Sequence, residues 1–112
     1  GVTSIVVMGH AHCGGVTAMR NGTPGSCKDF VEPWVAQGAP IVRAVAHMVE
    51  TDEIERATEE AVVRLSIDNL RTFPWIAERE AAGQLTLTGL HFGIADGMLR
   101  ALTDKPRFEP LA

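Results

Sequence analysis

The apolar positions near the amino terminus form one continuous run. Residues 4–8 read SIVVM, which is apolar and rich in β-branched side chains. A continuous run of this length is typical of a strand in a parallel sheet that is covered on both faces. We therefore expect a buried strand over 4–8, a glycine-rich turn over 9–15 and a short helix over 16–20.

The middle of the chain shows helical spacing. Residues 29–50 carry apolar side chains three and four positions apart, and QGAP interrupts the pattern. A longer helix is expected to begin at Asp52 with a capping box and to end at Phe73. Pro74 then begins a short helix that stops near Gly83. The predicted apolar face of the long helix comprises Ala61, Val62, Leu65, Asn69 and Phe73.

The carboxyl-terminal third changes to a period of two. Leucine and threonine alternate within 84–92, which predicts a strand. An Asp-Gly turn returns the chain to a second strand over 98–102, and we expect the tail that follows to lie on the surface. The order of elements predicts an α/β fold. Because three strands are few for this much helix, we expect that part of the sheet is missing from the chain.

Composition limits the classes of protein to which the chain can belong. Its 112 residues suffice for one domain, which we take as a single, partial domain over 1–112. A hydrophobic content of 46% with 21% charged residues indicates a globular, soluble protein. The net charge of −4 without a basic cluster argues against nucleic-acid binding, and the apolar runs are too short for a membrane span. No leader segment is recognisable, so we expect a cytoplasmic protein.

The turn GHAHCGG carries the candidate chemistry. His10 and Cys13 are separated by two residues, so both can face one ion, and imidazole with thiolate suits zinc. Cys13 also precedes a predicted helix, whose dipole favours a thiolate. The turn follows the carboxyl end of a strand, where α/β sheets place their sites. Three glycines let the backbone bend and approach the ion, namely Gly9, Gly14 and Gly15.

Two other readings of the turn stay open. A phosphatase loop needs an arginine six positions after its cysteine, but that position is Met19, and Arg20 comes one residue late. The pair could also be polar residues of a glycine-rich turn without a ligand. Among the remaining candidates, we expect His12 to face solvent. We expect His47 and His91 to be packed or hydrogen-bonded. Cys27 is expected to be neither a zinc ligand nor disulfide-bonded to Cys13. Trp34 and Trp75 are expected to be core or interface anchors.

Two segments resemble the β-class carbonic anhydrases. VVMGHAHCGGVTAM is similar to the zinc-site strand and turn of that family, and NLRTFPWIAEREAAGQLTLTGLHFGIADGML is similar to its long helix and closing strands. The resemblance implies that His10 and Cys13 are ligands of Zn2+ and that the backbone of Gly14 and Gly15 lines the metal cavity. It also implies a mostly parallel central sheet flanked by helices, with a carboxyl-terminal strand-turn-strand.

The chain also departs from the family pattern. Gly93 and Ala95 differ from the residues common in the closing strand, and no segment matches the family's Cys-x-Asp-x-Arg, which supplies another zinc ligand and an Asp–Arg pair. We therefore expect the carboxyl-terminal portion of such an enzyme, with the Asp–Arg pair upstream and no catalytic residue in this chain.

The function that the resemblance implies is reversible hydration of carbon dioxide to bicarbonate and a proton. The family also implies a homodimer or higher homo-oligomer. We expect the chain alone to be inactive. The alternative is a non-catalytic zinc- or bicarbonate-binding relative, or a truncated product.

Overall fold

A computed structural model describes residues 1–23, 25 and 28–111. Cys27 lies outside the described residues, so its exclusion as a zinc ligand and as a disulfide partner stays a prediction. Among the described residues, none of the helices is both long and apolar enough to cross a lipid bilayer.

The sheet has four strands in sequence order. The first two are parallel, because the helices between them form the crossover, and the other neighbours are antiparallel. The hydrophobic pattern predicted three strands and the resemblance implied a mostly parallel sheet, whereas the described sheet is mixed and has a fourth strand. The strands are β1 (Ser4–His10), β2 (Thr86–Phe92), β3 (Leu99–Ala101) and β4 (Glu109–Pro110).

The helices follow the predicted order. Those between β1 and β2 are α1 (Gly14–Asn21), α2 (Val31–Ala36), α3 (Ala39–Ala46), α4 (Ile54–Leu70) and α5 (Pro74–Ala81), with a 3-10 turn at Thr51–Glu53. The predicted break at QGAP separates α2 from α3. The expected capping box is wrong, because the 3-10 turn precedes α4 and no side chain caps it. Gly83 follows α5 with a φ of 72°, as its predicted stop requires.

The long helix α4 buries a different face from the predicted one. Its fully buried apolar positions include Val63 and Ile67, while the residues predicted from spacing are half-buried or, at Asn69 and Phe73, exposed. The reason is that α4 contacts the sheet strands β1 and β2 with one side and helix α3 with another. Its buried surface is therefore wider than a single row of apolar residues. It also ends at Leu70, because Phe73 is extended ahead of Pro74.

One face of β1 is bare, which corrects the prediction of a strand buried on both faces. Side chains alternate along it, and those of Val6 and Met8 are 52% and 58% exposed. Helix α4 contacts the strand. Within residues 1–23, 25 and 28–111, β1 is an edge strand and no element covers its exposed side chains.

The tail is partly buried, contrary to the prediction that it lies on the surface. Phe108 is 5% exposed, and β4 pairs with β3. Arg107 donates to Glu60 at 2.7 Å and to Glu53 at 2.8 Å, and these hydrogen bonds raise the pKa of its guanidinium. The tail is therefore fixed to α4 and to the 3-10 turn before it by the side chains of Phe108 and Arg107, and no local sequence pattern predicts these contacts.

Candidate metal centre

The turn after β1 reverses the chain sharply. β1 ends at His10, the amide of Ala11 donates to the carbonyl of Phe92 at 2.9 Å, and His12 has a φ of 59°. Cys13 then occupies the N-cap of α1 in an extended conformation. The hydrogen bond to β2 fixes the start of the turn, and the positive φ at His12 is a left-handed conformation that few residues other than glycine adopt.

His10 and Cys13 line one pocket, and that both side chains face a common metal position stays a prediction. The pocket has a volume of about 220 Å³ and lies between the end of β1, α1 and α4. The Nδ1 atom of His10 is 2.9 Å from the carbonyl oxygen of Ala11. When Nδ1–H donates to that carbonyl, Nε2 keeps its lone pair, which is the tautomer that a metal ligand needs.

The donor set fits part of a zinc site. An imidazole nitrogen and a thiolate are both zinc ligands, and Cys13 lies at the N-cap of α1. Among the described residues, however, no group of three or more histidine, cysteine, aspartate or glutamate side chains is placed to hold one metal ion. Two candidate donors, His10 and Cys13, therefore line this pocket.

The neighbouring histidine of the turn points elsewhere, as predicted. The side chain of His12 is 72% exposed, and its Nδ1 lies 3.5 Å from a carboxylate oxygen of Glu55. His47 is also exposed, so the prediction that its side chain is packed is wrong. Within the described part of the chain, its side chain makes no hydrogen bond either. Neither histidine belongs to the pocket of His10 and Cys13.

The two glycines after Cys13 differ in their surroundings. A Cβ atom on Gly15 would lie 3.1 Å from Cζ3 of Trp34 and 3.8 Å from Sγ of Cys13, whereas one on Gly14 would meet nothing within 4 Å. Gly15 thus lies close to both the Trp34 ring and the candidate ligand Cys13. Trp34 packs at this point but is 54% exposed, and Trp75 is 57% exposed, so neither is a core residue.

Gly9 brings β1 into close contact with α4. A Cβ atom there would lie 2.7 Å from Cγ2 of Val63 and 3.6 Å from the carbonyl oxygen of Glu59. No side chain fits between the strand and the helix without movement. The strand and the helix are therefore in close contact at the residue that precedes His10.

We expect Gly9→Ala to lower the free energy of unfolding by about 1–3 kcal/mol, because the added methyl group overpacks this contact. The matched control is Gly14→Ala, which adds a methyl group in open space on a helix and should be neutral or stabilising by up to about 1 kcal/mol. Urea denaturation followed by circular dichroism measures both. Equal stability of the two variants would contradict the close packing.

The buried polar residues behind the pocket are Glu59 and His91. Nε2 of His91 lies 2.8 Å from Oε1 of Glu59, and both side chains are almost completely buried. His91 was predicted to be packed or hydrogen-bonded, and this is confirmed. Glu59 was not singled out, although it lies four and eight residues before the buried Val63 and Ile67, which places it on the inward face of α4.

Comparison with known proteins decides the family. The family model described as carbonic anhydrase matches residues 1–99. The chain belongs to the carbonic anhydrase family. Its curated relatives are of the β class. It is 32% identical over 99 residues to β-carbonic anhydrase 5, chloroplastic, of Arabidopsis thaliana, covering 85% of this chain and 33% of the relative. It is 30% identical over 115 residues to β-carbonic anhydrase 6, mitochondrial, of the same plant, covering 96% and 40%.

Solved structures of this carbonic anhydrase class share the fold. The β-carbonic anhydrase CcaA superposes with a TM-score of 0.81 at 22% identity, covering 98% of this chain and 56% of that one. One of two tetrameric β-carbonic anhydrases from Sordaria macrospora gives 0.72 at 23%, covering 90% and 52%. The α/β fold expected from the resemblance is thereby confirmed. The chain spans only about a third to two fifths of the length of the curated relatives named above.

Proposed function

We propose that this chain forms the zinc-turn portion of a β-carbonic anhydrase that converts carbon dioxide reversibly to bicarbonate and a proton. The observation that carries the proposal is the placement of His10 and Cys13 along one pocket, in a chain of the carbonic anhydrase family. Carbonic anhydrases are lyases, and the curated relatives bear that name.

His10 and Cys13 would hold the ion through Nε2 and Sγ. A zinc ion in such a site supplies a nucleophilic hydroxide near neutral pH and a Lewis acid. The backbone of Gly14 and Gly15 follows Cys13 and would form part of the metal cavity. We assign no catalytic residue of this chain beyond these ligands. The Asp–Arg pair and the remaining ligand of the family pattern have no counterpart in its sequence.

The chain by itself should therefore hydrate carbon dioxide at close to the background rate, even with added zinc. Catalytic zinc sites use three protein ligands, and the described residues bring together two. Stopped-flow measurement with a pH indicator tests this expectation, with His10→Ala as the control for adventitious zinc. Activity well above background that disappears in His10→Ala would show that this chain completes the site.

The second candidate function is that of a non-catalytic zinc- or bicarbonate-binding relative. The two-donor site favours it, because two ligands can bind an ion without activating water efficiently. Adding the family's Cys-x-Asp-x-Arg segment as a separate polypeptide discriminates between them. Recovery of hydratase activity supports the enzyme, and zinc binding without any activity supports the binding module.

The bare face of β1 supports a homo-oligomer. Val6 and Met8 are exposed on an edge strand, and Met8 lies opposite Leu90 of β2 on the same face. Exposed apolar sheet faces and edges favour association. A cytoplasmic location also stays part of the proposal.

We expect Met8→Lys to reduce self-association of the chain, because it places a charge in the middle of this apolar face. Sedimentation velocity over a concentration series should show a shift towards monomer. Phe30→Lys serves as the control, since Phe30 is 90% exposed in the segment before α2, away from the sheet. A monomeric native chain, or an equal shift in the control, would contradict the role of this face.

A further inference from the structure

Behind the turn that carries His10 and Cys13 lies the most deeply buried polar pair near the pocket. His91 is 0% exposed and Glu59 is 3% exposed, and they are joined by one hydrogen bond of 2.8 Å. Within the described residues, the second carboxylate oxygen of Glu59 and Nδ1 of His91 are buried and have no hydrogen-bond partner. Such an arrangement is costly, since each unpartnered buried polar atom keeps its desolvation penalty.

This pair lies next to Gly9, the residue of β1 that leads into the turn. Gly9 is the register partner of His91 in the parallel β1–β2 ladder, and the ring atom Cδ2 of His91 lies 3.9 Å from where a Gly9 Cβ would be. The carbonyl oxygen of Glu59 lies 3.6 Å from the same point. Glu59 also contributes to the wall of the pocket that His10 and Cys13 line. The hydrogen bond therefore joins α4 to β2 directly beneath the residue that precedes His10.

We propose that Glu59 and His91 are positioning residues for the metal turn. Their hydrogen bond fixes the separation of α4 from β2, and Gly9 rests against both partners. The depth of β1 at its carboxyl end, and with it the direction in which His10 enters the pocket, follows from that separation. This inference rests on the proposed function, because it assumes that His10 and Cys13 bind zinc.

A buried polar pair of this kind contributes orientation rather than net stability. Replacing a buried pair by apolar side chains is often neutral for stability, whereas removing one partner is destabilising. Residues that orient metal ligands without touching the metal typically change its affinity by about 10–100-fold when they are replaced. The two effects can be separated experimentally, because affinity is measured on folded protein.

Glu60 offers a matched control next to Glu59. It is equally buried on α4 and also accepts a charged hydrogen bond, from Arg107 at 2.7 Å. It contributes to a different cavity, between α3, α4 and the tail, and not to the pocket of His10 and Cys13. Glu60→Leu thus removes a comparable buried carboxylate without touching the metal turn.

The test is a calorimetric titration of the chain with zinc, with folding checked by circular dichroism. We expect Glu59→Leu to weaken binding by about 10-fold or more and Glu60→Leu to leave it within about 2-fold of the native chain. Glu59→Gln keeps an oxygen that accepts from His91, so it should restore nearly native affinity.

The outcomes separate the hypotheses. If Glu59→Leu binds as tightly as the native chain, or if Glu60→Leu is equally weakened, the positioning role is wrong. If Glu59→Gln is as weak as Glu59→Leu, the carboxylate charge matters rather than the hydrogen bond, which also overturns it. A native chain that binds no zinc contradicts both this inference and the proposed function, whereas native binding with an unaffected Glu59→Leu contradicts this inference alone.

Discussion

Zinc affinity is expected to fall by about 100-fold when Cys13 is replaced by alanine, and by a similar factor for His10→Ala. Zinc sites with four protein ligands bind with apparent free energies of about 10–16 kcal/mol, which is about 3 kcal/mol per ligand. With two donors, the native chain should bind with a dissociation constant between about 1 µM and 1 mM. Loss of either donor leaves one ligand, and the dissociation constant should rise to between about 100 µM and 100 mM.

Two residues of the same types serve as controls. His12→Ala should leave zinc affinity unchanged, because the His12 side chain is exposed and faces Glu55. Cys27→Ser should also leave it unchanged, on the sequence-based prediction that Cys27 is not a ligand. Isothermal titration calorimetry of the four variants gives the comparison. If His12→Ala or Cys27→Ser weakens binding as much as Cys13→Ala, the assignment of the ligand pair is wrong.

Ile67→Ala is expected to lower the free energy of unfolding by about 2–5 kcal/mol. Ile67 is 1% exposed on the inward face of α4, and truncation leaves a cavity that the surrounding helices and sheet cannot fill without rearrangement. Denaturant titration followed by circular dichroism measures the loss, which is large compared with the total stability of about 5–15 kcal/mol usual for a domain.

The control for this prediction is Phe73→Ala. Phe73 belongs to the apolar face predicted from spacing, yet it is 51% exposed, and its aromatic neighbour is Trp75 at a centroid distance of 6.4 Å. The expected loss is below about 1 kcal/mol. A larger effect for Phe73→Ala than for Ile67→Ala would show that the helix buries the face predicted from spacing instead.

The elements that sequence reasoning located correctly are those determined by local chemistry. QGAP separates α2 from α3, Pro74 begins α5, and the alternation of leucine and threonine marks β2. Each signal depends on backbone preferences within a few residues, such as the fixed φ of proline or the period of a strand. The return into β3 likewise follows from the Asp-Gly turn at Gly97, which has a φ of 67°.

The features that sequence reasoning missed depend on contacts between distant segments. Phe108 is buried because the tail returns to α4, and the charged side chain of Arg107 reaches Glu60 there. The bare face of β1 could not be anticipated from an apolar run, since hydrophobicity indicates which residues favour burial and not whether an element is present to bury them.

The candidate site also contains residues that local sequence patterns predict and residues that they do not. His10 and Cys13 could be proposed as candidate ligands because their spacing and the strand before them are local features. Both residues line one pocket in the structure. The Glu59–His91 contact joins residues 32 positions apart, and a glutamate in a charged helix gives no sign that it is buried. The one local indication of its burial is the four-residue spacing of Glu59, Val63 and Ile67, which places them on the same face of α4.

The central claim is that one zinc ion binds to both His10 and Cys13. X-ray absorption spectroscopy at the zinc edge, on the zinc-loaded chain, tests it most directly. We expect one sulfur neighbour at about 2.3 Å and at least one nitrogen neighbour at about 2.0–2.1 Å from the zinc ion. The sulfur contribution should vanish in Cys13→Ser and persist in Cys27→Ser. A first shell of oxygen and nitrogen alone in the native chain, or a sulfur signal that survives Cys13→Ser, would contradict it.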